Sequence, residues 1–120
     1  MNKGHLLAEA KRTALGMAEA GYAPPRREEK RIYAAGEMAL GALRAAIFGM
    51  QQGRYASEHD AKIANKLAYV MSGGDLTQPQ WVTEDYINKL ETEAFVALVQ
   101  EPKSLERIMA MLQTGKPLRN

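Results

Sequence analysis

The chain has 120 residues, 46% of them hydrophobic and 25% charged, which suits one domain with a modest core. A formal net charge of +2 is too mild for the clustered basic face that nucleic-acid binding demands. There is no cysteine, so disulfides, thiol catalysis and thiolate metal sites are excluded, and a reducing compartment fits.

Alanine, leucine, methionine, glutamate and lysine are plentiful, and no segment alternates cleanly, so helix is favoured almost throughout. A first helix is expected from about Lys3 to Ala20, with Gly21 as its C-terminal cap. "GYAPPRREEKR" breaks the pattern, because Pro24 and Pro25 cannot continue a helix. A second helix is expected from about Tyr33 to Gln52. Its seam is Leu40, Leu43, Ile47 and Met50, and Glu37, Arg44 and Gln51 make only a thin polar strip. A helix apolar on most sides belongs at the centre of a bundle, where a close neighbour would compensate for Gly36, Gly41 and Gly49. The third helix begins at "SEHD", buries Ile63, Leu67, Val70 and Met71, and stops at Gly73-Gly74. After the loop "GGDLTQPQ", Thr83 caps a fourth helix running to about Gln100, with Val82 and Ile87 at staple spacing. Its buried face is Ile87, Leu90, Ala94 and Leu98. Pro102 opens a fifth helix with the stripe Leu105, Ile108, Met109 and Leu112, ended by Gly115 and Pro117. The expected fold is all-α, a compact bundle of about five helices. No apolar run approaches the ~18 residues of a membrane span. "MNKGHLLAEA" lacks the apolar core of a signal peptide, so a cytoplasmic location is expected.

Few residues invite a chemical reading. "RYASEHD" sets Ser57, His59 and Asp60 side by side like parts of a hydrolase site. Adjacent side chains on one helical turn point apart, however, and a triad assembles from distant segments. Capping accounts for the same residues: Ser57 accepts a backbone N–H, and Glu58 and Asp60 complement the helix dipole. On this reading Ser57→Ala costs about 1 kcal/mol. His59 is then exposed or bonded to a neighbour, and its removal costs little. His5 and His59 are the only imidazoles, and neither has a second non-carboxylate ligand at helical spacing, so no metal site is expected. Glu84 with Asp85, and Glu91 with Glu93, are too close in sequence to face each other as an acid–base couple. Arg26, Arg27, Lys30 and Arg31 read either as a phosphate cluster or, interrupted by Glu28 and Glu29, as a solvated linker. No glycine pattern forms a dinucleotide fingerprint or a P-loop.

The stretches "GYAPP", "YASEHDAKIANKLAYVMSGGD" and "LETEAFVALVQEPKSLERIMAMLQTGKPLRN" resemble the extreme C-terminus of bacterial multifunctional fatty-acid oxidation proteins. These are the 3-hydroxyacyl-CoA dehydrogenase/enoyl-CoA hydratase fusions with the dehydrogenase first. The resemblance runs from about Leu6 to the end, and "LLAEAKRTALGMAEAGYAPP" resembles the segment where the hydratase portion runs out. It implies NAD-dependent oxidation of 3-hydroxyacyl-CoA and hydration of enoyl-CoA in β-oxidation, with NAD as the parent's cofactor and acyl-CoA at the parent's site. The Gly-rich nucleotide turn, the dehydrogenase His–Glu pair and the hydratase carboxylates are absent from these residues, so no catalytic or cofactor-binding residue carries over and the piece alone is expected to be inactive. Met1 reads either as a boundary within a longer protein or as the start of a separately encoded piece.

The expected organisation is a helix over 1–22 resembling the end of the hydratase portion, a linker over 23–32 and a helical C-terminal module over 33–120. Its expected role is structural, docking on upstream hydratase or dehydrogenase domains or on another subunit. The alternatives are a free-standing helical interaction module and an autonomous enzyme. Lys116, Leu118 and Arg119 form a candidate docking tail, with Leu118 as apolar anchor and Arg119 seeking a carboxylate. The bland alternative is a frayed end. Without its partner such a tail is expected to be loosely held, so that deleting 116–120 leaves the melting temperature unchanged.

Overall fold

The computed structural model describes residues 3–25 and 29–120. Arg26, Arg27 and Glu28, half of the candidate phosphate cluster and part of the expected linker, lie outside the described residues. A 3-10 turn over Lys3–His5 leads into α1 (Leu6–Glu19). Then come β1 (Arg31–Ala34), α2 (Gly36–Gln52), α3 (Glu58–Met71), β2 (Gln80–Thr83), α4 (Glu84–Val99) and α5 (Pro102–Thr114). The chain is 67% helical, with five α-helices and a single small sheet among the described residues, as an all-α reading requires.

That sheet departs from the sequence expectation. β1 and β2 pair antiparallel with Ile32 opposite Val82 and Tyr33 opposite Trp81. The Tyr33 and Trp81 rings meet edge to face with centroids 5.4 Å apart. Tyr33 therefore lies in a strand, and α2 starts three residues later than its apolar pattern suggests. Cross-strand aromatic and β-branched pairs stabilise such a ribbon, and "RIYA" and "QWVT" each contain them.

Most of the core is gathered at the end of α3. Gly73 and Gly74 carry φ of +88° and +74°, and the amides of Gly73 and Gly74 bond back to the carbonyls of Val70 and Tyr69 at 3.0 and 2.8 Å. This closes the helix in a Schellman turn. Four other elements converge on it. Ala34 at the end of β1 is fully buried, and a side-chain carbon built on Gly73 would lie 2.6 Å from its Cβ. The Gly36 amide, opening α2, donates to the Ser72 carbonyl at 3.0 Å. The Tyr86 hydroxyl of α4 donates to the Gly73 carbonyl at 2.9 Å. Leu76, in the loop that follows, packs against the same glycine.

Beyond this junction the packing is thin. The buried apolar residues among those described are Ala34, Leu40, Ala61, Ala68 and Val70, most of them small. The accessible surface is 9881 Å², where a compact monomer of this mass exposes about 6,500 Å². The radius of gyration is 21.5 Å, against about 14 Å for a compact chain of this length. The five-helix class holds; the compactness does not. No residue of α1 is buried. α2 is not central either: it packs on α3 through Leu40, while Leu43 and Met50 of its seam stay exposed. The arc opposite Leu40, formed by Met38, Gly41, Ala42, Ala45 and Gly49, is exposed and carries no charge. Only Gly36 is closely packed, since a side-chain carbon there would sit 2.9 Å from the Gln78 carbonyl carbon. Carbons built on Gly41 and Gly49 would meet nothing within 4 Å.

Two turns of the same geometry make opposite predictions. α2 also ends in a Schellman turn, but Arg54 holds its left-handed position at φ +60°, a conformation costly for a residue with a side chain. Arg54→Gly should raise unfolding stability by about 0.5–1 kcal/mol. Gly73→Ala should lower it by more than about 2 kcal/mol through backbone strain and overlap with Ala34. Urea denaturation of the two variants tests both signs.

Candidate functional site

The residues that looked most like chemistry sit where the start of α3, the first half of α5 and the end of the chain meet. Ser57 is extended at φ −70° and ψ 168°, as an N-cap must be. Its Oγ accepts the Asp60 N–H at 3.1 Å, and Asp60 Oδ2 accepts the Ser57 N–H at 3.0 Å. The two thus satisfy each other's backbone in a reciprocal capping box. The other oxygen of Asp60 accepts from Arg107 Nη1 of α5 at 2.7 Å, in an ion pair whose side chains are only 26% and 20% exposed. The Ser57 backbone N–H first, and the Arg107 guanidinium second, hold the Asp60 carboxyl down at about 2 from its ordinary 3.8.

Arg107 also reaches the end of the chain. Its Nε donates to Asn120 Oδ1 at 2.7 Å and its Nη2 to the Asn120 main-chain oxygen at 3.2 Å. Ser57 Oγ donates to that same oxygen at 3.1 Å. The Asn120 amide nitrogen donates to the Lys103 carbonyl at 3.0 Å and to Glu106 Oε2 at 2.7 Å. "SEHD" and "GKPLRN", read separately in the sequence, are therefore parts of one clasp with Arg107 at its centre. The tail is not loosely held, because its last residue is fixed by five hydrogen bonds to its own chain. Lys116, Leu118 and Arg119 arch over the intervening stretch and remain exposed. Gly115 ends α5 at φ +66°.

His59 departs from expectation. It is buried, at 4% exposure, and its Nε2 lies 3.0 Å from the Oγ of Ser104, a buried serine of α5 45 residues away rather than a neighbour. This serine–histidine pair is a packing bond between α3 and α5. Ser104 is itself buried, and among the described residues no carboxylate orients the other ring nitrogen, so the constellation for an activated nucleophile is incomplete. Beside it, Lys62 Nζ donates to Glu101 Oε1 at 2.6 Å, which holds the Glu101 carboxyl below its usual range. The remaining candidates stay apart. His5 lies in the turn before α1, and Glu84, Asp85, Glu91 and Glu93 are exposed along α4. Thr83 Oγ1 accepts the Tyr86 N–H at 3.1 Å, capping α4.

Arg107 and Ser104 carry no signal in the sequence, and Asn120 reads there only as the end of the candidate tail. Each lies on a polar position of α5 or beyond it, and nothing in local spacing ties any of them to residues 57–60. The arrangement binds its own chain end. An open cavity of about 700 Å³ beside it is lined by Glu58, His59, Lys62 and Glu101, but Lys62 is tied to Glu101 and Ser104 does not line it.

Among curated proteins, the whole chain aligns at 42% identity over 120 residues with a "Probable 3-hydroxyacyl-CoA dehydrogenase" of Bacillus subtilis (strain 168). The chain spans 15% of that protein's length, in its C-terminal part. The name speaks to a dehydrogenase and not to a hydratase. No family model matches the chain, and no solved structure matches it.

Two predictions follow from the clasp and its neighbour. The depressed Asp60 pKa contributes stability that is fully present above its unfolded value near pH 4 and is lost as pH falls towards 2. Asp60→Asn should therefore cost about 1–2 kcal/mol at pH 7, discounted for partial exposure, and flatten the stability change between about pH 4 and pH 2. Urea titrations across that range check it. His59→Ala should cost about 2 kcal/mol rather than little, because it opens a cavity and strands the Ser104 hydroxyl. A melting temperature unchanged from the wild type would contradict this.

Proposed function

We propose that this chain is the C-terminal helical module of an enzyme of the 3-hydroxyacyl-CoA dehydrogenase kind, and that its task is structural: to dock against the larger remainder of that enzyme. The supporting observation is the identity to the Bacillus protein along every part of the chain, confined to 15% of that protein's length. The surface agrees. About 3,400 Å² more is exposed than a compact monomer of this mass would leave open, and it includes the uncharged arc of α2 and the apolar residues of α1, among them Leu7 at 84% exposure. Open glycines at Gly41 and Gly49 lower helix propensity without return inside this chain. A closely approaching backbone from the remainder of the enzyme would recover that cost. Lys116, Leu118 and Arg119 are exposed as well and are proposed to take part in the docking.

The parent's chemistry is proposed on the same ground: NAD-dependent oxidation of a 3-hydroxyacyl-CoA, joined to an enoyl-CoA hydratase in the β-oxidation fusion that the motifs resemble. The described residues do not fit NAD. β1 and β2 run straight into α2 and α4, but they pair as an antiparallel ribbon rather than as the parallel strand–helix–strand unit with a Gly-rich turn that cradles a pyrophosphate. No step of the reaction is assigned to this chain.

Removing the matching C-terminal segment from the Bacillus dehydrogenase should abolish soluble assembly or reduce kcat/KM by more than about tenfold. Grafting this chain in its place should restore both. A truncated enzyme with normal activity, thermal stability and oligomeric state would refute the docking role. The chain alone should neither bind NAD at micromolar concentration nor oxidise a 3-hydroxyacyl-CoA, as calorimetry and an NADH absorbance assay can show.

A further inference from the structure

One face of α3 is used neither by the clasp nor by the proposed docking surface. On one side of it, a groove of about 590 Å³ runs between α3 and α4, lined by Ile63, Leu67, Val70, Met71, Phe95 and Leu98. From Ile63 to Met71 it follows about 12 Å of helix at 1.5 Å per residue, and it widens across to Phe95 and Leu98 of α4. On the other side, between α2 and α3, a pocket of about 400 Å³ is lined by Arg44, Lys62, Asn65, Lys66 and Tyr69. It has three cations on its wall and no carboxylate. Lys66 lines both cavities and stands on the ridge between them.

The charges decide what such a pair of cavities accepts. Lys62 is already paired with Glu101, and the Tyr69 hydroxyl donates to Asp75 at 2.8 Å. Arg44 and Lys66 have no ion-pair partner among the described residues. Glu37 and Asp75 line a neighbouring cavity with Arg44, and Lys66 acts on Glu101 from a distance, but none of these pairs with either cation, so a purely apolar helix laid over this face would bury two unpaired cations, which is costly. A ligand with an apolar tail and an anionic head satisfies both cavities at once, the head bonding to the Arg44 guanidinium and the Lys66 ammonium. Glu91, on the rim of the groove, favours placing the anionic end at Lys66 and away from α4.

We propose that these two cavities form one binding site for a single-chain amphiphile with a phosphate head, its tail between α3 and α4 and its phosphate between Arg44 and Lys66. The site stands independently of the docking role, since it uses other residues. Decyl phosphate below its micellar concentration is the probe, titrated calorimetrically into the 120-residue chain. It should bind saturably with a dissociation constant of about 10–100 μM. The double variant Arg44→Gln/Lys66→Gln, at two exposed positions, should bind it at least about tenfold more weakly, and so should wild-type chain at 0.5 M salt. Leu67→Asp, which places a carboxylate in the groove, should abolish binding, with circular dichroism confirming an intact helical fold. Inorganic phosphate, the head alone, should bind at least about a hundredfold more weakly. Decyl maltoside binding as tightly as decyl phosphate would show a merely apolar groove and overturn the proposal. Equal affinity for the double variant, or no saturable binding by decyl phosphate, would overturn it too.

Discussion

The Schellman turn at Ser72-Gly73-Gly74 is the constraint around which the helices are arranged. It is a single left-handed turn, yet it receives the end of β1, the first amide of α2, the phenol of α4 and the loop that leads to β2. Glycine is required there twice over. The backbone angles exclude a side chain without strain, and Ala34 occupies the space a side chain would need. Because the core away from this point is made largely of alanines, small errors in the approach of α2 to α3 are not absorbed by large interlocking side chains. The turn fixes that approach instead.

Under the proposed docking role, a chain built this way is half of an interface as much as a domain. Its buried set is small, while its most apolar helix, α2, offers more uncharged surface outward than inward. A helix of that composition normally lies in the middle of a protein. Here one neighbour is present and the opposite side is open. α1 shows the same condition more fully, with an apolar stripe through Leu6, Ala10, Ala14 and Met17 and none of it covered.

Much of this was legible in the sequence, for reasons that are local. Caps, prolines and glycine stops act within a few residues, so α3, α4 and α5 begin and end where Ser57, Gly73, Thr83, Pro102 and Gly115 place them. The ribbon was not legible, because four residues of "RIYA" are too few to reveal a period, and their partner lies some fifty residues away. The clasp was half legible. The capping box reads directly from Ser57 and Asp60, but the link to Arg107 and Asn120 depends on how α3 crosses α5, which no spacing encodes. His59 misled for the same reason: its neighbours in sequence suggested an exposed helix start, and its neighbour in space is a buried serine on α5. The exposure of α2 was illegible in another sense. Composition states that a helix wants burial, and cannot state whether the chain in hand supplies it.

The clasp also governs the order of assembly. The bond from Ser57 to Asn120 joins residues 63 apart, and closing a flexible loop of that length costs about 4 kcal/mol before any constant term. A handful of part-exposed hydrogen bonds contributes about that much at best, so the clasp cannot form in a disordered chain. It closes only after α3, α4 and α5 have folded and shortened the effective loop. It is therefore a late contact, and its loss would leave the helices standing, with α5 still tied to α3 through His59–Ser104 and Lys62–Glu101, while freeing the end of the chain as one local unit. Amide protection of the residues after α5 thus reports whether the last step of folding has been completed, separately from whether the helices exist.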